Sequence, residues 1–216
     1  MTTSLLTVGA HVATAANDEH PKIDYTVDRF ADIEILRYEV PGFEELSLQQ
    51  KQLLYHLSEA ALMGRDIIFD QNCRYNLAIR RVLEAIYREY RGDRGDAQFK
   101  ALETYLKRVW LANGIHHHYG EDKFEPAGFT ADYFAKCIRS LDPKHVPVRK
   151  GQTVDAWLKE ITPVIFDPKV MPKRTVQSGS GDLLLASANN YYEGGVTQQE
   201  AEAFYAAMRT PNDSTA

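Results

Sequence analysis

The 216-residue chain is 44% hydrophobic and 25% charged, with a formal net charge of -5. That length and composition suit a folded domain with a sizeable core, and the mild acidity, with no Lys/Arg-rich run, argues against nucleic acid as a partner. No apolar run approaches the roughly 18 residues that a membrane span requires, and Cys73 and Cys137 stand too far apart for a CxxC pair and read as small core residues.

The start is ambiguous. Residues 5–16 are apolar and rich in small side chains, and Ala13-Thr14-Ala15 could be a cleavage tripeptide, yet no Lys or Arg precedes Lys22, so the basic segment of an export signal is missing. A partial alternation over residues 33–40 predicts a short strand stopped by Pro41-Gly42, with a helical turn over residues 30–36 as the alternative. Ser47 and Gln50 form a capping box, and Leu53, Leu54, Leu57, Ala60 and Ala61 recur at helical spacing until Gly64. After a polar interruption, Tyr75, Ile79, Val82, Leu83, Ile86, Tyr87 and Tyr90 make a second apolar stripe. The following loop carries Arg91-Gly92-Asp93, which reads as a chance tripeptide rather than an adhesion motif.

Asp96 caps a third helix with Phe99, Leu102, Tyr105, Leu106, Val109 and Trp110 on one side. Asn113-Gly114 ends it, with the glycine expected in the left-handed position. Thr130 starts a fourth helix, stapled by Phe129 and Phe134. Residues 143–151 read as a proline-bearing connector. Thr153 caps a shorter helix with Trp157, Leu158 and Ile161, and Pro163 is expected to break it. Irregularly spaced prolines up to residue 174 exclude long regular structure. Residues 177–182 lack the Gly-Lys-Ser/Thr of a phosphate loop, and residues 183–187 form a short apolar run. Thr197 and Glu200 form a second capping box before a helix bearing Ala201, Phe204, Tyr205 and Met208. The pattern is α+β and predominantly helical, with a few short strands.

Two stretches carry candidate chemistry. Residues 113–126 place His116, His117 and His118 beside Tyr119, Glu121 and Asp122. In an extended segment His116 and His118 would share one side, open to three readings: a metal site, side chains that hold a turn and pack with Tyr119 and Phe124, or a cleft lined by His116, His118 and Tyr119. No His-Glu-x-x-His or comparable spacing supports the metal, and none is assigned. In residues 189–193, the amides and phenols of Asn190, Tyr191 and Tyr192, with Glu193, could meet a peptide backbone. The alternative is a turn in which the asparagines satisfy their own backbone. No nucleophile constellation can be assembled, so no catalytic residue is assigned.

The letters themselves carry more. Residues 29–72 (RFADIEILRYEVPGFEELSLQQKQLLYHLSEAALMGRDIIFDQN), 105–124 (YLKRVWLANGIHHHYGEDKF) and 186–205 (ASANNYYEGGVTQQEAEAFY) resemble the amino-terminal part of dipeptidyl peptidase III, peptidase family M49, in its bacterial, Bacteroides-like branch. The resemblance implies a two-lobed zinc peptidase that releases dipeptides from the free amino end of short peptides. Its zinc is held by His-Glu-x-x-Gly-His and a later glutamate in a carboxy-terminal catalytic lobe. This sequence contains no such motif.

The resemblance therefore implies an amino-terminal, substrate-cleft fragment over residues 25–209, between a flexible tail or leader remnant (1–24) and a truncated linker (210–216). Its partners would be short peptides and the missing catalytic lobe. Zinc would belong to the full-length parent and not to this chain, which alone would be inactive. Tyr191 matches the family's substrate-binding tyrosine best, with Tyr192, Asn190 and Glu193 as companions. The compartment would be cytoplasmic, or periplasmic if residues 1–17 are a leader remnant. The competing expectation is a non-catalytic helical module, derived from the same family, that binds peptides or a protein partner.

Overall fold

A computed structural model describes residues 23–209. The leader-like start and the last residues, 210–216, lie outside the described residues, and so do those two expectations. The chain divides into two compact units, one ending at Pro41 and the next beginning at Gly42. No shift in composition announces that boundary; its marker is the Pro-Gly pair.

The first unit contains an antiparallel hairpin of β1 (Thr26–Phe30) and β2 (Ile33–Leu36), with Phe30 opposite Ile33 and a register irregularity between Thr26 and Asp28. Strand β2 begins where the alternation begins but stops four residues before Val40. Its partner β1 lies in a stretch whose polarity hid it, and no helical turn forms at residues 30–36. Glu34 ties the two strands, accepting from Thr26 Oγ1 at 2.6 Å and pairing with Arg29 at 2.6 Å.

In the second unit, α1 (Leu48–Met63) opens with the expected capping box on Ser47 and Gln50. The polar interruption that follows is itself a helix, α2 (Arg65–Asn72), whose Phe69 is fully enclosed. Then come α3 (Asn76–Glu89), α4 (Ala97–Ala112), α5 (Ala131–Arg139) and α6 (Val154–Phe166). Single 3-10 turns cover Phe43–Glu45 and Pro143–His145. Last are the one-turn α7 (Leu183–Ala186) and α8 (Gln198–Met208). Among the described residues this is a predominantly helical chain with one small two-stranded sheet.

The core lies among α3, α4, α5 and α6. Ile79, Val82, Leu83 and Ile86 from α3 meet Phe99, Leu102, Leu106 and Val109 from α4, and α5 and α6 add Phe134, Ile138, Trp157, Leu158 and Ile161. Burying each such side chain contributes about 1.5–3 kcal/mol. Phe129 and Phe134 are both enclosed and act through a third ring, each packing on Phe166 at 5.5 and 5.9 Å. Cys73 and Cys137 are free, buried thiols. The Arg91-Gly92-Asp93 tripeptide lies in the α3–α4 loop, where Asp93 accepts from the Gly95 amide at 2.7 Å as a turn residue does.

Two expectations are corrected. Helix α6 runs through Pro163 to Phe166, because Val164 and Ile165 go on burying their side chains after the ring has removed one donor. At the end of α4, Asn113 and not Gly114 takes the left-handed conformation, with φ of 53°. Gly114, at φ of 149°, is needed for a different reason: a Cβ there would lie 2.2 Å from the Asn76 amide nitrogen.

Candidate functional site

The two candidate stretches are distant in sequence but belong to one hydrogen-bonded stack. Buried Asn76 sets its floor, donating to Phe69 O at 3.0 Å and accepting from the Ile115 amide at 3.2 Å; Asn72 donates to Asn113 O at 3.0 Å. These two amides fasten the α2–α3 corner to the end of α4 and so position the histidine run.

That run is not extended. His117 donates its amide to Asp122 O and accepts from the Glu121 amide at its carbonyl, which closes a tight turn. The alternation that would have put His116 and His118 on one side is therefore broken. His116 is 1% exposed, with Nε2 2.9 Å from Met171 O. A carbonyl can only accept, so the proton sits on Nε2, and the buried Nδ1 has no partner. Burial holds His116 below the usual imidazole range. His117 uses Nδ1 to accept the Tyr119 and Gly120 amides at 3.1 and 2.9 Å. His118 is exposed and stacks on His117, and Tyr119 is 85% exposed. The three imidazoles thus do three separate jobs, and among the described residues no group of three His, Cys, Asp or Glu side chains could hold a metal.

The next layer is residues 171–175. Lys123 donates its amide to Pro172 O, and its ammonium donates to the carbonyls of Val164, Asp167 and Val170 at 3.0, 2.5 and 2.6 Å. Burial lowers its pKa. This ammonium satisfies the open end of α6. Arg174 grips Glu121 in a bidentate pair and donates to His118 O. The Arg174 hydrogen bonds keep the Glu121 carboxyl below its ordinary range.

The third layer is the asparagine–tyrosine segment. Ala188 and Asn189 donate their amides to Lys173 O and Arg174 O at 3.0 Å each, and Asn190 donates to Gln71 O at 2.8 Å. The Asn190 amide nitrogen is 3.4 Å from Asp70 Oδ2, and Asn189 reaches Thr175 Oγ1 at 3.3 Å. Asp182 closes the loop behind it, accepting from the Leu184, Leu185 and Gln198 amides.

Between this segment and the α2–α3 corner lies a pocket of about 220 Å³, lined by Arg74, Met171, Ser187, Asn190, Tyr192 and Glu193, among others. Of the four residues singled out from sequence, Asn190, Tyr192 and Glu193 border it. Tyr191 does not, and is 60% exposed. A hydrogen bond from Tyr192 to Tyr205 of α8 is the main cause that raises the Tyr192 pKa. His116, His118 and Tyr119 lie outside this pocket; their neighbour His117 instead borders a wider hollow with Arg108 and Phe124. Sequence reasoning missed Arg74 and Met171, since neither belongs to a motif and only the fold brings them to the loop. Compared with known proteins, the chain matches no family model and no curated sequence.

Proposed function

We propose that this chain is the amino-terminal, substrate-binding part of a zinc-dependent dipeptidyl aminopeptidase of the dipeptidyl peptidase III type, and that it binds short peptides. The observation that carries the proposal is the pocket bordered by Asn190, Tyr192 and Glu193, beside the end of α2. One wall, from Ser187 to Val196, comes from a stretch on which the resemblance to that family rests, whereas Arg74 and Met171 come from outside those stretches. Amides, a phenol and a carboxylate around a small pocket suit a peptide, whose backbone offers both donors and acceptors.

The chain's own part would be to bind and orient. Asn190 is held by its backbone bond to Gln71 and its side-chain contact with Asp70. Tyr192 is oriented by Tyr205. Both would present fixed groups to a bound backbone. The zinc and the water it activates would be supplied by the carboxy-terminal lobe, and this chain alone is expected to turn nothing over.

The test is direct titration of the 216-residue chain with amidated tetra-alanine. Binding should weaken about tenfold for Asn190→Ala, the loss of one or two hydrogen bonds. A dipeptidyl arylamide should stay intact with zinc added. Unchanged affinity in the variant would remove the pocket from the proposal, and chelator-sensitive turnover would remove the division of labour. The second reading is a non-catalytic peptide-binding module, favoured by the lack of a His-Glu-x-x-Gly-His motif in these 216 residues. Finding or not finding that motif in the coding sequence beyond Ala216 separates the two.

A further inference from the structure

Among the described residues, Arg74 is the one cationic side chain that lines the pocket, and it is exposed. Its guanidinium lies over the Tyr75 ring at 5.0 Å, which fixes its direction without using its donors. It has no carboxylate partner among the described residues. Glu160, whose charge Arg74 also feels, is already held by Arg149 at 2.5 Å and Gln152 at 2.9 Å. On the pocket side the chain runs past as Gly194-Gly195. A methyl placed on Gly194 would come 3.6 Å from a terminal guanidinium nitrogen, so even the smallest side chain there would touch the donor. The bare Gly194 leaves that nitrogen open toward the pocket.

An oriented guanidinium with unused donors is a bidentate receptor for a carboxylate. We propose that Arg74 anchors a carboxylate of the bound peptide, either the terminal carboxylate of a very short peptide or an acidic side chain of a longer one. The proposal rests on the reading of this pocket as a peptide site and deepens it: it makes charge, and for the terminal carboxylate also length, a determinant of which peptides are held. Glu193 borders the same pocket, so a purely anionic ligand is disfavoured and a zwitterionic peptide fits better.

Three peptides titrated into the full chain decide it: tetra-alanine with a free carboxylate, its amide, and an amidated tetrapeptide with one internal glutamate. The free acid should bind about tenfold or more tightly than the amide, as expected for a charge-assisted pair. Arg74→Ala should remove that difference, and Arg74→Lys, which keeps the charge without the fork, should leave part of it. If the internal glutamate restores affinity to the amide, the anchor also serves acidic side chains; if it does not, it is specific for the terminus. Equal binding of free acid and amide by the wild type overturns the Arg74 anchor while leaving the peptide site standing. So does a free-acid advantage that survives in Arg74→Ala. No binding of any of the three overturns both.

Discussion

At the scale of single residues, the site is built from polar groups that the fold has taken out of water, and His116 is the clearest. Its imidazole is enclosed, neutral, and bound through Nε2 to Met171 O. Burial lowers its pKa from the ordinary 6.5, Lys123 and Arg174 push the same way, and the Met171 hydrogen bond and Glu121 oppose them. The sign of the linkage follows. Above pH 6.5 both folded and unfolded chains carry a neutral imidazole, so stability is undiminished there. As pH falls below 6.5 the unfolded chain takes up a proton that the folded chain resists, and stability declines down to the lower, folded value. Urea denaturation at a series of pH values should therefore show a steeper loss of stability between pH 6.5 and 5 for the wild type than for His116→Phe. The other histidines contribute equally to both. Identical slopes would mean that His116 titrates alike in the two states.

At the scale of elements, Lys123 shows how a loop residue can finish a helix in another part of the chain. Its ammonium gathers three carbonyls at the end of α6, where Pro163 has already removed one donor. Lys123→Met keeps the stem and deletes the donors, and should cost about 1–3 kcal/mol in urea denaturation, the usual penalty for carbonyls left unmet. A midpoint unchanged from wild type would show that water satisfies those carbonyls as well. What the sequence made legible at this scale was local. Both capping boxes, the Asp96, Thr130 and Thr153 caps and the α3 and α4 stripes depend on neighbours within four residues, and they form as expected except that Trp110 of the α4 stripe stays exposed. What stayed hidden depended on distant partners. Helix α2 was masked by Arg65, Asp66, Asp70 and Gln71, whose polarity outweighs one buried Phe69. Strand β1 exists through pairing with β2, and α6 survives its proline because Val164 and Ile165 have a core to reach. The same division holds for the site. Asn190, Tyr192 and Glu193 share one loop and could be picked out together, whereas Arg74 and Met171 reach it only through the stack of segments that Asn76, Lys123 and Arg174 hold in place.

At the scale of the whole molecule, the distribution of buried surface is uneven. Helices α3 to α6 bury their apolar stripes, but α1 buries none of its sixteen residues, although Leu53, Leu54, Leu57 and Leu62 are all large and apolar. Its other flank mixes the polar Gln49, Lys51, Gln52, His56 and Glu59 with Leu48, Tyr55 and Met63, which are also exposed. On α8 only Ala201 is buried, while Phe204, Tyr205 and Met208 face outward. Exposed apolar area on this scale marks an association surface. The proposed function supplies a reason, since a fragment parted from its catalytic lobe would leave such helices uncovered. The consequence can be measured. Replacing Leu53 and Leu57 with Lys should leave the melting temperature within a few degrees of wild type, because neither side chain is buried in this chain. Ile79→Ala in the core should instead cost about 2–5 kcal/mol. The same double substitution should reduce concentration-dependent association in light scattering. A wild-type chain that stays monodisperse at high concentration would show that the α1 surface tolerates water. A double variant that melts as low as Ile79→Ala would mean that α1 packs against something in solution, and that its exposure is not the resting state of the molecule.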